Sequence, residues 1–514
     1  MVLTNNEVLA PFLSDNISLR VGLNPLGMQN AATDAYANLL PGLNNVSGRI
    51  RYYSFYCWLF ENYYIQNKNI SLKDQREYIR KAEYLLALIN AMNNDSEGIP
   101  GINYALTKIE STQQEFNLRE GIYNSKGKTD KTYWQYSSGI FGQYYAGVAR
   151  DLAIIGNLEG AEQLYAIKNN GDYINGKILA EAFNENISIE RKNIFFECIK
   201  KEYVSRDSVK YLLQEFNMKL IPENTREQEM LIKMLLQKDY PHKDRLANNR
   251  FKTIISYLTY IEQNEEEINK TKSFPHFMYQ NYINSPTDDF HQEGWYYYYI
   301  NEAWQYHSLV IFDSILTLLN KEYGSQYIDM DMFVSRILTE IQGILDNYYT
   351  YRLQDFIEDI KQDKIENNIN ASSLLNNIIL SLCEILLLFD ENKDNKERLK
   401  HIKMGGISNY DRDWLIFEQS VYPFLSLPVN EFISYYIINE ILMRHYSVAF
   451  NKMSITGIAT HKFILDNNLI SYIDNYRPSH TSPRIRTLHG FLADLGLIRN
   501  NELTQRGSSL LQFL

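Results

Sequence analysis

Apolar side chains recur with helical spacing over most of this chain. From residue 187 to residue 397 they return every three or four positions with few interruptions, which predicts helices almost throughout. Residues 49–67 differ, because they are apolar on nearly all sides and so predict a fully buried helix. The predicted helices are Ala31–Leu40, Arg49–Asn67, Lys73–Met92, Glu223–Lys238, Leu246–Glu266, Gly294–Tyr323, Met330–Tyr349, Ala371–Phe389 and Glu431–Met453.

The helical pattern gives way at two distant places that share one motif. Tyr145–Ile155 is followed by Ile167–Ile174, and Leu488–Ile498 is followed by Leu503–Leu510. Each pair fits a helix that ends in an Asp-Leu corner, a short strand, a loop, and a second strand that enters a final helix. This order is the second half of a winged helix, a unit that presents one helix and one hairpin to a partner.

The two copies predict equivalent residues and hairpins of different size. Asp151 should match Asp494, and Gly171 should match Gly507, because each follows the same apolar spacing. The gap between the two motif pieces is longer in the first copy than in the second. We therefore expect the first hairpin to be the larger one.

These patterns predict a mainly α, multi-domain helical protein with two winged-helix-like α+β units. The 514 residues exceed what one hydrophobic core organises, and the charge-rich segment Asp390–Lys400 has the composition of a linker. We expect an N-terminal helical domain ending in a winged-helix-like unit (residues 1–186), a helical middle domain (187–397), and a C-terminal helical region with the second unit (398–514).

Composition narrows the class of protein. Hydrophobic residues make up 45% and charged residues 22%, which is typical of a soluble globular protein, and the net charge of −11 restricts nucleic-acid contact to a local patch. The most apolar segment, Leu374–Phe389, is too short and too polar to span a bilayer. The N-terminal segment Met1–Leu19 lacks the pattern of a signal peptide, and the three cysteines have no metal-ligand spacing. We expect a cytoplasmic protein without membrane contact.

Three short motifs suggest chemistry, and none meets its requirements. Lys126–Thr129 resembles a phosphate-binding loop, but the nearest upstream glycine, Gly121, is one residue too far. His401–Lys403 resembles part of a phospholipase-D-type signature, but Ser408 stands where the acid belongs. Asp359–Lys361 has the letters of a restriction-type nuclease within a helical pattern. We therefore assign no catalytic, metal-binding or cofactor-binding residue and expect no cofactor, so an enzyme is the less favoured class.

Polar residues on the predicted helix Gly294–Tyr323 have a packing explanation. His307 belongs to the apolar stripe of that helix, and we expect it to be a core histidine. The neighbouring face carries Tyr299, Glu302, Tyr306 and Asp313. Glu302 and Asp313 are separated by a rise of roughly 16 Å and so form no acid–base pair. We predict that this face is a buried polar network.

Arginines have two separate roles in this sequence. Arg49 and Arg51 open an apolar helix, so we expect at least one of them to pair with a carboxylate or to cap carbonyls.

A local basic face lies near the C-terminus, where we expect contact with phosphates. We also expect the fold to survive replacement of Arg484 and Arg486, because exposed charges contribute little to stability. Its residues are Arg477, Arg484, Arg486, His489, Arg499 and Arg506. An acidic protein partner and an ordinary solvated face remain open alternatives.

Several segments resemble a family of uncharacterised bacterial proteins. They are Leu23–Gly27, Leu40–Gly42, Gly48–Leu59, Arg80–Glu83, Gly98–Gly101 and His445–Ala449. Proteins of this kind are similar to products of multi-gene anti-phage or anti-plasmid defence clusters, in which a helical accessory subunit accompanies an ATPase or a nuclease. The resemblance implies partner subunits and carries over no functional residue.

The combined expectation is a non-catalytic binding or adaptor subunit of a bacterial defence-type complex. Its winged-helix units would contact nucleic acid, DNA being the first candidate, or a partner protein. Two alternatives stay open: a stand-alone DNA-binding regulator, and a metal-dependent nuclease whose ligands a single sequence does not show.

Overall fold

The structure is a computed structural model whose described part is 67% helix and 7% strand, which places it in the mainly α class. The described residues are 24–67, 70–93, 97–122, 133–134, 136–169, 171, 173–238, 244–264, 267, 269–362, 364–365, 373–481 and 483–513. Lys126–Thr129, the segment that resembles a phosphate-binding loop, lies outside them.

The chain divides into two compact units, each built from two segments. Unit I comprises Tyr36–Phe277 and Ser482–Leu514, and unit II comprises Met1–Ala35 and Met278–Thr481. This division differs from three consecutive domains: position 186 falls within unit I, and position 397 falls within a helix of unit II.

The first half of the chain is helical with two antiparallel strand pairs. Its helices are α1 (Gln29–Leu39), α2 (Arg51–Gln66), α3 (Leu72–Ala91), α4 (Ile102–Ile109), α5 (Ala146–Asp151), α6 (Gly176–Glu185), α7 (Ile189–Lys201), α8 (Arg206–Phe216), α9 (Arg226–Leu236), α10 (Asp244–Gln263) and α11 (Lys270–Asn284). Its strands are β1 (Glu115–Asn117), β2 (Ile155–Leu158), β3 (Ala161–Ile167) and β4 (Tyr203–Ser205), where β1 pairs with β4 and β2 with β3. A π-helical turn, Phe141–Tyr145, leads into α5.

The second half combines long helices with one small sheet and a closing hairpin. Its helices are α12 (Phe290–Tyr323), α13 (Met330–Leu345), α14 (Leu353–Lys361), α15 (Leu374–Asn392), α16 (Lys396–Met404), α17 (Trp414–Val421), α18 (Val429–Tyr435), α19 (Arg444–Thr456), α20 (Ile485–Asp494) and α21 (Gln505–Phe513). Its strands are β5 (Ile328–Asp329), β6 (Phe463–Asp466), β7 (Leu469–Tyr472), β8 (Ile498–Arg499) and β9 (Glu502–Leu503), in a β5–β7–β6 sheet and a β8–β9 pair.

Helix α2 lies in the core of unit I, as its all-round apolar pattern predicts. Twelve of its sixteen residues are buried. The rings of Phe55 and Trp58 pack against Phe183 and Phe195, with centroids 5.3 to 6.2 Å apart. The N-terminal turn of this buried helix carries an arginine, and a buried guanidinium needs partners that compensate its charge.

The guanidinium of Arg51 is fully compensated inside unit I, which confirms its predicted structural role. The side chain is 1% exposed, and its Nε and Nη2 donate to the two carboxylate oxygens of Glu227 at 3.1 Å each. Its Nη1 donates to the backbone carbonyls of Glu215, Asn217 and Leu220 at 3.0, 2.8 and 2.9 Å. Glu227 also accepts from the Ser54 hydroxyl, so the ion pair joins α2 to α9.

Arg49 is structural as well. Its Nη1 donates to Asp494 at 2.8 Å, and its Nε and Nη2 donate to the carbonyl of Glu97 at 3.0 and 2.7 Å. The other carboxylate oxygen of Asp494 accepts from the Ile50 amide. Arg49 therefore links the residue before α2 to the end of α20.

Glu302 forms the predicted polar network on α12, with different partners from those expected. It accepts from the backbone amide of Thr481 at 2.6 Å and from the Thr481 hydroxyl, and it lies 3.4 Å from His480. The His480 ring stacks on Tyr306 at 3.7 Å. Tyr299 instead stacks on Tyr279, so the network fastens the segment after β7 rather than joining Tyr299 to Asp313.

His307 is only partly enclosed, in contrast to the apolar residues of its predicted stripe. Ile300, Trp304, Ile311 and Ile315 are fully buried, whereas His307 is half-buried beside Tyr306. Burial lowers the pKa of the His307 ring to about 4. The ring is therefore neutral at pH 7.

The segment Asp390–Lys400 is helical, and its prediction as a linker was wrong. Asp390 pairs with Lys361 at 2.9 Å and with Lys393 at 2.6 Å. The side chain of Asn392 is buried and bonds to two tyrosine hydroxyls. Alternating charges here are ion pairs made by helices, which composition alone does not distinguish from a solvated linker.

Other sequence expectations concern helices and thiols. Asp359–Lys361 lies within α14, helical as expected, and His401–Lys403 lies within α16. Cys57, Cys198 and Cys383 are buried free thiols. In the described part of the chain, no helix combines the length and apolarity needed to cross a membrane.

Replacing Arg51 by Ala tests the buried ion pair. The change leaves Glu227 as a buried charge without its main partner, so the free energy of unfolding should fall by about 3–5 kcal/mol. Arg499→Ala, at an exposed position of the same unit, should change it by no more than about 0.5 kcal/mol. Urea unfolding measures both. Equal effects of the two variants would contradict a structural role for Arg51.

Candidate functional site: two helix–hairpin–helix repeats

Both predicted motif copies fold as a helix, a hairpin and a second helix, and both lie in unit I. The first repeat is α5–β2–β3–α6, and the second repeat is α20–β8–β9–α21. The strands of the first hairpin have four and seven residues, and those of the second have two each. The first hairpin is therefore the larger one, as predicted.

The two repeats end their first helix with the same hydrogen bonds. In each, three successive amides donate to carbonyls four, three and five residues earlier, which is a Schellman-type helix end. The donors are Leu152, Ala153 and Ile154 in the first repeat and Leu495, Gly496 and Leu497 in the second. Ala153 and Gly496 both have positive φ, at 46° and 70°. This correspondence pairs Asp151 with Asp494, as predicted.

A different glycine from the predicted one matches Gly507. A Cβ atom on Gly507 would lie 2.2 Å from the carbonyl oxygen of Leu497, and one on Gly176 would lie 2.0 Å from that of Ile154. Ile154 and Leu497 are equivalent corner residues. Gly171 has no atom within 4 Å of its Cβ direction. Apolar spacing pointed to Gly171, but the connection from β3 to α6 is longer than the one in the second repeat, so the equivalent glycine comes later in the chain.

Both repeats pack against one side chain of α2. The ring of Tyr53 lies 5.6 Å from Tyr145, which precedes α5, and 5.8 Å from Phe491 in α20. Arg49 holds the end of α20 through Asp494. The start of α2 is therefore a common support for the two repeats.

The presenting helices, α5 in the first repeat and α20 in the second, each carry an open glycine outside this packing. Gly147 and Arg150 of α5 correspond to Gly490 and Ala493 of α20. Gln143, in the π-helical turn before α5, precedes Gly147 by four residues, as Arg486 precedes Gly490. Neither Gly147 nor Gly490 has any atom within 4 Å of its Cβ direction. Each repeat thus offers a helix face with a bare backbone at its centre. The sequence analysis did not identify these two glycines as functional candidates. Their signal in the sequence is a glycine within a helical pattern.

A hairpin turn flanks each of these faces. In the second repeat, Asn500 and Asn501 form the turn with φ of 52° and 64°, as a two-residue hairpin of the I′ type requires. In the first repeat, Glu159 and Gly160 connect the strands, and both are exposed. The helix face and the turn form the candidate site in each repeat.

The structure brings five of the six predicted basic residues into the second repeat and its flanks. Arg477 is exposed but belongs to unit II. Arg486, on α20, and Arg499, on β8, are exposed. Arg506 on α21 donates to Asn224 at 2.9 Å and to Gln228.

Arg484 and His489 are engaged in packing within unit I. Arg484 lies at the N-cap of α20 with a φ of 63°, donates to the carbonyl of Leu40 at 2.8 Å, and lies over the Tyr36 ring. Burial lowers the pKa of its guanidinium. His489 bonds to the Tyr257 hydroxyl at 2.8 Å, and burial lowers the pKa of its ring. The expectation that Arg484 is an exposed contact was therefore wrong, because helix-end packing uses it.

The described residues offer no obvious place for a metal ion. Among them, no group of three His, Cys, Asp or Glu side chains converges on one point. The site consists of helix and hairpin surface.

Alanine at the two corner glycines should destabilise the protein. Gly176→Ala and Gly507→Ala each force a Cβ into a backbone carbonyl, so each should lower the free energy of unfolding by about 1–3 kcal/mol. Gly490→Ala, with open space around it, should raise that free energy by about 0.5–1 kcal/mol through helix propensity. Thermal and urea unfolding compare the three. If Gly176→Ala behaves like Gly490→Ala, the two repeats do not share this corner.

The unfolding free energy should also depend on the protonation of Asp494. Burial raises its pKa from 3.8 to about 6, against the lowering effect of Arg49. The folded state therefore holds the proton more tightly, and this contribution to stability is lost as pH rises from about 4 to 6. Across this pH range, the contribution of Asp494 to the free energy of unfolding should fall by about 3 kcal/mol.

Asp494→Asn should remove this component, so the difference in stability between parent and variant should change across pH 4 to 6.5. Asp151→Asn, at the equivalent exposed position, is the control for loss of one carboxylate. Parallel pH profiles for the parent and Asp494→Asn would contradict the assignment.

Comparison with protein-family models, with curated proteins and with solved structures gave no match. A function for this chain is therefore inferred from its own geometry and chemistry.

Proposed function

We propose that this chain is a non-catalytic binding or adaptor subunit in which the two repeats act as winged-helix units. Each repeat would present its exposed helix face and hairpin turn to a macromolecular partner. The complex would be of the bacterial defence type, with partner subunits such as an ATPase or a nuclease.

One observation carries this proposal: each repeat has an unobstructed glycine at the equivalent position of its first helix. Glycine in a helix interior destabilises it by about 1 kcal/mol relative to alanine. No packing contact at Gly147 or Gly490 compensates that loss, in contrast to Gly176 and Gly507, where the close carbonyl requires glycine. Close approach of a partner to the helix backbone explains why both helices lack a side chain there.

A binding function also agrees with how the repeats are held. A surface that docks a partner needs supports that do not move when the partner binds. Tyr53, Arg49 and the corner hydrogen bonds fix both presenting helices to the buried start of α2. The faces that carry Gly147 and Gly490 take no part in these contacts and stay accessible to a partner.

Glutamine at the two open glycines tests the proposal. Gly147→Gln and Gly490→Gln should fold at least as stably as the parent, because nothing lies within 4 Å of the new Cβ atoms. A long side chain should nevertheless hold the partner away from the helix. We expect each variant to lose at least about tenfold in affinity for the partner that its own repeat contacts, which corresponds to about 1.4 kcal/mol.

The measurement uses the full chain, with a DNA duplex and with the tagged products of the genes beside its own. Gly343→Gln is the matched control, because Gly343 is also an exposed glycine of a helix with no atom within 4 Å. It lies on α13 in unit II. Binding that Gly147→Gln and Gly490→Gln leave unchanged would refute the proposed use of these faces. Sequence-specific DNA binding without any protein partner would favour a stand-alone regulator.

A further inference from the structure

The two repeats differ in the charge that they expose. In the first repeat, Arg150 lies beside the acidic Asp151, and Glu159 occupies the hairpin turn. Arg150 also donates to Asn157 at 3.2 Å. Both signs are therefore present on the first repeat, and neither dominates its exposed surface.

Positive charge dominates the second repeat. Its exposed carboxylate is Glu502, because Asp494 pairs with Arg49 at 2.8 Å. Against it stand Arg486, Arg499 and Arg506, and the hydrogen-bond partners of Arg506 are the neutral side chains of Asn224 and Gln228. An amide partner holds a guanidinium in place without cancelling its charge. In a protein of net charge −11, this is a local basic surface.

The same surface lacks what a protein partner would require. Interfaces between proteins are anchored by apolar and aromatic side chains near their centre. Gly490 and Ala493 lie on the exposed face of α20, and Asn500 and Asn501 form the turn. Among the described residues, the large apolar side chains that are exposed include none in α20 or the β8–β9 hairpin, and Phe513, at the far end of α21, is the exposed one in the repeat. Arginine, small residues and asparagine are instead suited to phosphates and groove edges.

We infer that the second repeat binds a DNA duplex through its sugar–phosphate backbone, with Arg486 and Arg499 as phosphate contacts. The inference rests on the proposed function and names its ligand. The bare face at Gly490 lets α20 approach a groove, while Arg486 on the helix and Arg499 on the hairpin reach phosphates beside it. The first repeat, with its mixed charge, takes no part in this contact.

Glu502 limits the affinity of this surface. Arg499 and Glu502 stand directly opposite each other in the β8–β9 pair, and both are exposed. Opposed residues of an antiparallel pair have Cβ atoms about 5 Å apart, so the carboxylate partly cancels the arginine and repels an incoming phosphate. Removing the Glu502 charge should therefore strengthen binding, an effect that loss of a merely structural residue would not produce.

Fluorescence anisotropy of the full chain, with a mixed-sequence DNA duplex at several salt concentrations, tests the inference. Arg486→Ala and Arg499→Ala should each weaken binding severalfold and lower the slope of log affinity against log salt by about 1. Glu502→Gln should tighten binding severalfold. Arg412→Ala, at an exposed arginine of unit II that lies outside both repeats, is the control and should bind like the parent. An RNA duplex of equal length should bind more weakly, because its deep, narrow major groove excludes a helix.

Three results would overturn the inference. They are no binding of the parent to either duplex, unchanged salt slopes in both arginine variants, and RNA binding as tight as DNA binding. If no duplex binds but Gly490→Gln still abolishes capture of a partner subunit, the ligand is a protein and the proposed function stands. If Gly490→Gln affects neither ligand, the proposed function fails as well. Circular dichroism and thermal unfolding of each variant separate loss of binding from loss of fold.

Discussion

The start of α2 places two guanidinium groups at the edge of a helix that is otherwise buried, and unit I is organised around satisfying them. A buried guanidinium without partners would destabilise the fold by several kcal/mol. Arg51 obtains the carboxylate of Glu227 and three carbonyls from the last turn of α8 and the segment after it. Arg49 obtains Asp494 and the carbonyl of Glu97. These bonds tie α2 to parts of the chain that are remote in sequence.

Through these bonds, the position of α2 also sets the position of the two repeats. Asp494 is the last residue of α20, so its bond to Arg49 fixes the helix end at which the second hairpin begins. Tyr53, one turn further along α2, touches both presenting helices or their leading turn. The repeats share their corner geometry but differ in hairpin length and in exposed charge. The start of α2 thus supports two repeats whose exposed surfaces differ, as expected if the second repeat contacts nucleic acid and the first does not.

Periodicity predicted most of the helices well, because long amphipathic or apolar segments carry a strong local signal. The helix of residues 294–323 and its buried stripe, the buried nature of residues 49–67, and both helix–hairpin–helix segments followed from pattern alone. Arg49 and Arg51 were recognised as structural because a charge beside a buried helix needs a partner, although the sequence does not name that partner.

What the sequence missed depends on contacts between distant residues. Gly176 rather than Gly171 matches Gly507, since only the fold shows which glycine meets the corner carbonyl. In the sequence, nothing distinguishes Arg484 from its exposed neighbour Arg486. In the fold, Arg484 lies at the start of α20 and contacts the carbonyl of Leu40 and the ring of Tyr36. The segment 390–400 has the composition of a linker and becomes helical through ion pairs with α14 and within its own turn. Each of the two units is likewise defined by contacts between two separate chain segments, which no local pattern contains.

Hydrogen–deuterium exchange of the full chain, with and without a DNA duplex, tests most directly whether the second repeat is the binding surface. If α20 and the β8–β9 hairpin contact the duplex, amides of residues 485–503 should exchange more slowly in its presence. Amides of α5 and the first hairpin should keep their rates. Protection confined to other segments, with residues 485–503 unaffected at saturating DNA, would contradict the assignment of this surface.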